Sequence, residues 1–159
     1  GVQTCALPIL NHPKMMGLKE ITFETNGTQE LTPEFRVYLF DWARWKNREI
    51  TFSVSAKLPC SGEAWEDAIK PEIVASYQTL GETYLKFVVS TEEDIQYAEQ
   101  AVKEYRDAKF TGHVYLMPVG GVESVYNLNN RRVAELAMKN GLRYSDRLQV
   151  PLFKNEWGT

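Results

Sequence analysis

The sequence contains few of the residues that build metal centres and nucleophilic catalytic sites. Its 159 residues include two cysteines, Cys5 and Cys60, and two histidines, His12 and His113. The cysteines have neither the spacing of a metal site nor the number needed for a disulfide framework. The histidines are too isolated to indicate a metal site or a catalytic triad, and Cys60 has no evident base partner. These residues therefore predict no thiol or metal chemistry.

Long apolar runs and clusters of like charge are also missing. No stretch approaches the ~20 apolar residues that a membrane span needs, and no secretory signal pattern is visible. The 18 basic and 21 acidic residues give a net charge of −3. No run of lysine or arginine forms a basic patch, and no phosphate-binding glycine loop is present. We expect a cytoplasmic protein that binds neither nucleic acid nor membranes.

The first nine residues read like a translated sequencing adapter. They match the in-frame translation of GGA GTT CAG ACG TGT GCT CTT CCG ATC at every position. We interpret residues 1–9 as an artefact and residues 10–159 as one domain, whose natural chain continues further toward the amino terminus. The chain is 43% apolar and 25% charged, which is typical of a globular protein.

Strand and helix patterns alternate along the chain. Ile50, Phe52 and Val54 alternate with polar residues, which indicates a strand. We predict five strands, at residues 20–24, 50–58, 83–89, 113–119 and 147–153. The predicted helices begin at Thr32, cover 64–80 with a break at Pro71, follow a Ser90–Glu93 capping box, and cover 128–139. The alternation predicts an α/β fold with a mostly parallel sheet, either open or part of a barrel.

Polar residues follow several of these strands. Glu24 comes at the end of the first strand, Ser55 and Lys57 at the end of the second, and the Met117–Gly121 turn after the fourth. Because ligands bind at the carboxyl ends of parallel strands, we expect Glu24 and Lys57 to lie close together. Glu24 could accept hydrogen bonds from sugar hydroxyls, and Lys57 could neutralise a carboxylate. The alternative is a weak ion pair at the rim.

Three stretches together resemble a known family. They are Glu-Thr-Asn-Gly-Thr at 24–28, Phe-Ser-Val-Ser-Ala-Lys-Leu at 52–58, and the tail from Arg-Leu-Gln-Val at 147–150 to Gly-Thr at 158–159. In this order and spacing they resemble the 7-carboxy-7-deazaguanine synthases, which are radical S-adenosylmethionine enzymes of queuosine and deazapurine biosynthesis. The resemblance covers nearly all of residues 10–159.

The resemblance implies a partial (β/α) barrel and a carbon–nitrogen lyase reaction. The family converts 6-carboxy-5,6,7,8-tetrahydropterin to 7-carboxy-7-deazaguanine, using S-adenosylmethionine, a 4Fe–4S cluster and Mg²⁺. It also implies a homodimer and a flavodoxin-like or other reductant as partners of the intact protein. Eight residues match cofactor-binding positions: Glu24 near the ribose, Ser55, Ala56 and Lys57 at a strand end, and Met117, Pro118, Val119 and Gly120 in a turn. Thr159 corresponds to a carboxyl-terminal position near the substrate.

The sequence departs from the family pattern at several points. Ala56 replaces a common proline, Met117 replaces a common glutamine, and Trp157 stands where a basic residue is frequent. The three-cysteine cluster motif and the Gly-Gly-Glu-Pro motif would lie upstream of Leu10. We therefore expect the chain as given to be inactive, since a cluster needs its thiolates.

Three alternatives remain open from the residues. The chain could belong to another radical S-adenosylmethionine enzyme, such as a glycyl-radical activating enzyme. It could be a non-catalytic α/β module that binds a nucleotide at the same strand ends. It could also be a barrel enzyme that uses Lys57 as a Schiff-base nucleophile, which borohydride trapping would reveal.

Overall fold

The structure is a computed structural model that describes residues 2–45, 47–120 and 130–147. The strands are β1 (Glu20–Thr25), β2 (Glu49–Val54), β3 (Glu82–Val89), β4 (Val114–Pro118) and β5 (Arg143–Tyr144). The helices are α1 (Val2–Leu10), α2 (Pro33–Arg44), α3 (Trp65–Ala68), α4 (Pro71–Tyr77), α5 (Glu92–Asp107) and α6 (Asn130–Lys139). Short 3₁₀ turns occur at Pro13–Met15 and Pro59–Ser61.

All neighbouring strands in the sheet run parallel, in the order β1-β2-β3-β4-β5. This confirms the predicted α/β class. A doubly wound sheet reverses its strand order at a switch point, whereas a (β/α) barrel adds each strand beside the preceding one. The sequential order is therefore that of a barrel segment. Right-handed crossovers in such an order place all the connecting helices on one face of the sheet.

The hydrophobic core lies between the helices and the face of the sheet that they cover. Phe52 of β2 stacks on Tyr77 of α4, with ring centroids 4.7 Å apart. Phe23 of β1 packs edge-on against Phe35 of α2 at 5.9 Å. Alternate residues of β3, from Thr83 to Val89, point toward the helices and are buried. One face of each strand is thus fixed against helices, and the next residue along each strand points to the opposite face.

One predicted strand is clearly shorter in the structure, and one observed strand was not predicted. β2 ends at Val54 rather than Leu58, because its partner β1 ends at Thr25, the residue paired with Val54. The unpredicted strand is β5, Arg143–Tyr144, a two-residue element too short to show an alternating pattern. Arg147 lies outside any strand, and the rest of the predicted strand at 147–153 falls outside the described residues.

The amino-terminal cap of α5 also differs from the predicted Ser90–Glu93 box. The Thr91 side chain accepts a hydrogen bond from the Asp94 amide, and the Asp94 carboxylate accepts one from the Thr91 amide. The prediction was wrong by one residue, because the sequence fits a box in either frame. Burial of Ile95 and Ala98 against the core fixes the frame that is observed.

The first residues form helix α1, in which Leu10 is buried and Ala6 and Leu7 pack against the core. The adapter origin of residues 1–9 stays a prediction. Of the helices in the described ranges, none combines the length and apolar character needed to cross a membrane.

Candidate ligand site at the carboxyl ends of the strands

Glu24 is the penultimate residue of β1 and lies at the carboxyl end of the sheet, just before a tight turn. The Gly27 amide donates to Thr25 Oγ1 at 3.1 Å, and Asn26 Oδ1 accepts from the amide and hydroxyl of Thr28 at 3.2 and 2.9 Å. Asn26 is thus engaged within the turn. The Glu24 side chain is 79% exposed and faces away from the helices, because its neighbour Phe23 packs against them. Its carboxylate is therefore accessible.

The segment after β2 continues alongside β1. The Ser55 amide donates to the Thr25 carbonyl at 2.8 Å, which holds Ser55 beside the end of β1. Ala56 and Leu58 are buried in the core, whereas Lys57 between them is exposed. The structure therefore puts Ser55, Ala56 and Lys57 at the carboxyl end of the sheet, as it does Glu24.

The end of β4 and the residues after it reach the same end of the sheet; Met117 and Pro118, predicted to lie in a turn, are the last residues of β4. Met117 and Pro118 pair with the last two residues of β3, and the Val119 amide donates to the Val89 carbonyl at 2.9 Å. Gly120 lies against Arg147, since a Cβ at this position would be 2.7 Å from Arg147 Cδ. The Arg147 guanidinium is 3.5 Å from the Gly120 carbonyl oxygen. Gly121 and Thr159 lie outside the described residues.

The ion pair that Glu24 makes is with a residue that was not predicted. Lys86 Nζ of β3 lies 3.5 Å from Glu24 Oε1. Lys86 occupies the face of the sheet opposite the helices, which we call the polar face; it carries Glu24, Ser53, Tyr84, Lys86 and Tyr115. The pairing of Glu24 with Lys57 stays a prediction.

The polar face also holds two tyrosines and a second cation. The rings of Tyr84 and Tyr115 meet edge-on, with centroids 5.6 Å apart. Arg143 of β5 donates to the Tyr115 hydroxyl at 3.1 Å. Lys86, Tyr115 and Arg143 are register partners on three successive strands. This face therefore combines an acid, two cations and aromatic rings.

Sequence reasoning missed Lys86 and Ser53 because both lie inside strands, not after them. A signal was present in β3, where Tyr84 and Lys86 alternate with buried Thr83, Leu85 and Phe87. A lysine in the middle of an otherwise apolar strand indicates a face that is not packed against helices.

The described residues do not fit an iron–sulfur cluster. A 4Fe–4S cluster is held by cysteine thiolates, and the whole sequence has two cysteines. Partial burial and a hydrogen bond to Asp94 raise the pKa of the Cys60 thiol to about 11, so it is protonated at neutral pH. Within the described ranges, no group of three or more His, Cys, Asp or Glu side chains could hold a metal ion.

The fold and the site define the class of the protein. It is an α/β protein with a sequentially ordered parallel sheet, and its candidate ligand site lies where the strands end. Two curated proteins are similar to the chain, and both are named 7-carboxy-7-deazaguanine synthase. Their names point to an enzyme.

The two relatives differ in how much of the chain they match. The protein from Pyrobaculum aerophilum is 27% identical over 145 residues, which are 91% of this chain and 57% of the relative. The protein from Halobacterium salinarum is 37% identical over 78 residues, which are 46% of this chain and 30% of the relative. The chain thus spans little more than half the length of the first relative. No protein-family model matches it, and no solved structure gives a significant match.

Proposed function

We propose that this chain is part of a 7-carboxy-7-deazaguanine synthase, a radical S-adenosylmethionine lyase. The substrate would be 6-carboxy-5,6,7,8-tetrahydropterin and the product 7-carboxy-7-deazaguanine. The observation that carries the proposal is that the three family-like segments, at 24–28, 55–57 and 117–120, all lie at the carboxyl end of one parallel sheet. The names of the two relatives support the same reaction.

The residues at the carboxyl end of the sheet fit the polar groups of S-adenosylmethionine. The exposed Glu24 carboxylate is an acceptor for ribose hydroxyls, and the Ser55–Lys57 segment offers a hydroxyl and an ammonium group. Gly120, just after β4, lets the backbone approach the adenine ring closely, and Met117, Pro118 and Val119 at the end of β4 belong to the same proposed contact. S-adenosylmethionine supplies the radical chemistry when it is bound; the residues of this chain bind and orient it. Thr159 belongs to the proposal as a substrate contact.

Among the described residues, no group of three or more His, Cys, Asp or Glu side chains could hold the cluster or the magnesium ion. We propose that the cluster cysteines belong to protein sequence upstream of Leu10. A homodimer and a flavodoxin-like reductant are proposed for that longer protein.

The test uses the protein that includes the uninterrupted upstream reading frame. Glu24→Gln should weaken S-adenosylmethionine binding about 10-fold or more, because hydrogen bonds to a charged acceptor contribute about 1.5–3 kcal/mol. Glu20→Gln is the matched control, since Glu20 lies at the other end of β1 and is also exposed. Binding is measured by isothermal titration calorimetry, and turnover by chromatography of the deazaguanine product.

The outcomes separate the competing functions. Turnover of the carboxytetrahydropterin with the expected Glu24 effect supports the proposal. Binding of S-adenosylmethionine without turnover favours the non-catalytic module. Equal effects of the two substitutions on S-adenosylmethionine affinity would show that Glu24 does not contact the cofactor.

A further inference from the structure

The Glu24–Lys86 ion pair passes over a third strand. Glu24 belongs to β1 and Lys86 to β3, and both strands pair with β2, which lies between them. Neighbouring strands are about 4.8 Å apart, so the two side chains bridge roughly 10 Å across β2. Ser53 of β2 is the register partner of Glu24. The ion pair therefore crosses the sheet at the level of Ser53 and the residues that follow it.

Ser53 is a buried polar residue whose hydroxyl makes no hydrogen bond. It is 0% exposed, and its Oγ has no partner in the part of the chain that the structure describes. A buried hydroxyl without a partner costs about 1–3 kcal/mol, so such groups are few in folded proteins. The other two such atoms in the described residues, Trp42 Nε1 and the Tyr105 hydroxyl, belong to helices, whereas Ser53 lies in the sheet. Its position on the polar face, beside the crossing ion pair, marks the place where a ligand oxygen would be stabilised.

Lys86 is the cation best placed to meet such a ligand. Its side chain is 18% exposed, whereas that of its partner Glu24 is 79% exposed. The lysine stem therefore lies on the sheet beside Tyr84, while the carboxylate stands in solvent. An ion pair with an exposed carboxylate is weak, so a ligand anion can compete for the ammonium group. Charge-assisted hydrogen bonds to a carboxylate would then combine with the free hydroxyl of Ser53.

We propose that Lys86 and Ser53 bind a carboxylate of the ligand, which replaces Glu24 as the partner of Lys86. Glu24, once released, accepts hydrogen bonds from ligand hydroxyls. This inference rests on the proposed function and identifies a recognition element within the same site. The carboxylate could come from the methionine part of S-adenosylmethionine or from the pterin ring, and the two sources are separated below.

The experiment measures the affinity of the 159-residue chain for two pairs of probes by isothermal titration calorimetry. S-adenosylmethionine is compared with decarboxylated S-adenosylmethionine, which lacks only the carboxylate, and 6-carboxypterin is compared with pterin. We expect one carboxylated probe to bind at least about 10-fold more tightly than its carboxylate-free analogue. The pair that shows this preference identifies the source of the carboxylate.

Substitutions then assign the preference to the proposed residues. Lys86→Met should abolish it, and Lys86→Arg should retain most of it because the positive charge is kept. Ser53→Ala should reduce it about threefold or more, without lowering the melting temperature, since the hydroxyl makes no bond that the fold would lose. Lys103→Met is the control, because Lys103 is an exposed lysine on α5.

The inference is overturned if neither pair shows a preference, or if Lys86→Met retains it as fully as Lys103→Met does. That failure is distinct from failure of the proposed function. Turnover by the longer protein could persist with Lys86 playing no part in it. Conversely, a carboxylate preference that depends on Lys86 could be found in a protein that does not turn over.

Discussion

Gly27 is the residue that allows the turn after Glu24 to close against the core. Its φ of +80° lies in the left-handed region, which other residues adopt at a cost. A Cβ at Gly27 would lie 2.7 Å from Val54 Cγ1 and 2.8 Å from Val74 Cγ2. The backbone of the turn is therefore in direct contact with the end of β2 and with α4.

A pair of glycine substitutions separates backbone strain from steric overlap. Gly62 also has a positive φ, of +83°, but nothing lies within 4 Å of its Cβ position. Gly62→Ala should lose about 1 kcal/mol of unfolding free energy from backbone strain alone. Gly27→Ala should lose about 2–4 kcal/mol, because overpacking against two valines adds to the strain. Urea denaturation measures both, and equal losses would contradict the close packing of the turn.

Single residues differ in how far the sequence could predict their surroundings. Glu24 could be placed at a strand end from the pattern of residues 20–27, and the structure places it there. Its partner could not be predicted, because Lys57 and Lys86 are both lysines in or after a predicted strand. Which of them meets Glu24 depends on the strand order and on the level each residue reaches in the sheet.

At the scale of one element, the start of α5 is held by a buried acid. Asp94 is 4% exposed and accepts hydrogen bonds from the Ser90 amide at 2.8 Å, the Ser90 hydroxyl at 3.0 Å and the Thr91 amide at 2.9 Å. Burial acts to raise the pKa of Asp94, but these hydrogen bonds and one from Cys60 outweigh it and lower the pKa. The ionised form is therefore the one that the fold stabilises.

The cap predicts a specific dependence of stability on pH. Asp94→Asn should lower the unfolding free energy by about 1 kcal/mol at pH 7, because the carboxylate accepts from amide groups at the helix start. The contribution of the carboxylate is complete above the usual aspartate pKa of about 3.9, and it is lost as the pH falls through the lowered folded-state value. The difference between wild type and Asp94→Asn should therefore shrink in acid, as followed by thermal melts from pH 7 to pH 2.

Glu93→Gln is the matched control for the cap. Glu93 is exposed and was the acid chosen from the sequence, so its substitution should change stability by less than about 0.5 kcal/mol at any pH. If Glu93→Gln destabilised the protein as much as Asp94→Asn does, the Ser90–Glu93 capping box would be supported instead. The element itself was predictable from its periodicity, but its first residue depended on which side chains the core buries.

At the scale of the whole molecule, β1 forms one edge of the described sheet. It pairs with β2 on one side, and Thr22 and Glu24 on this strand are exposed. Unpaired edges promote association between chains. We expect the 159-residue chain to self-associate with rising concentration, as measured by light scattering after size-exclusion chromatography. Thr22→Lys should reduce the association by adding an edge charge, and a monomer at all concentrations would contradict the prediction.

The parallel sheet was predictable because strand and helix patterns alternate, and a crossover helix is the usual way to join parallel strands. The order of the strands was not predictable, because the same alternation fits both doubly wound sheets and barrels. It depends on how the helix faces pack together, as in the contacts of Phe52 with Tyr77 and of Phe23 with Phe35.

The sequential strand order has a consequence for how the chain acquires its structure. Each ladder joins two strands that are consecutive in the chain, so the preceding strand is already synthesised when the next one forms. Register partners are about 30 residues apart in every ladder, so each pairing closes a loop of similar length and similar entropic cost. Synthesis on the ribosome proceeds from the amino end, and each strand–helix unit can dock on the preceding one soon after it leaves the exit tunnel.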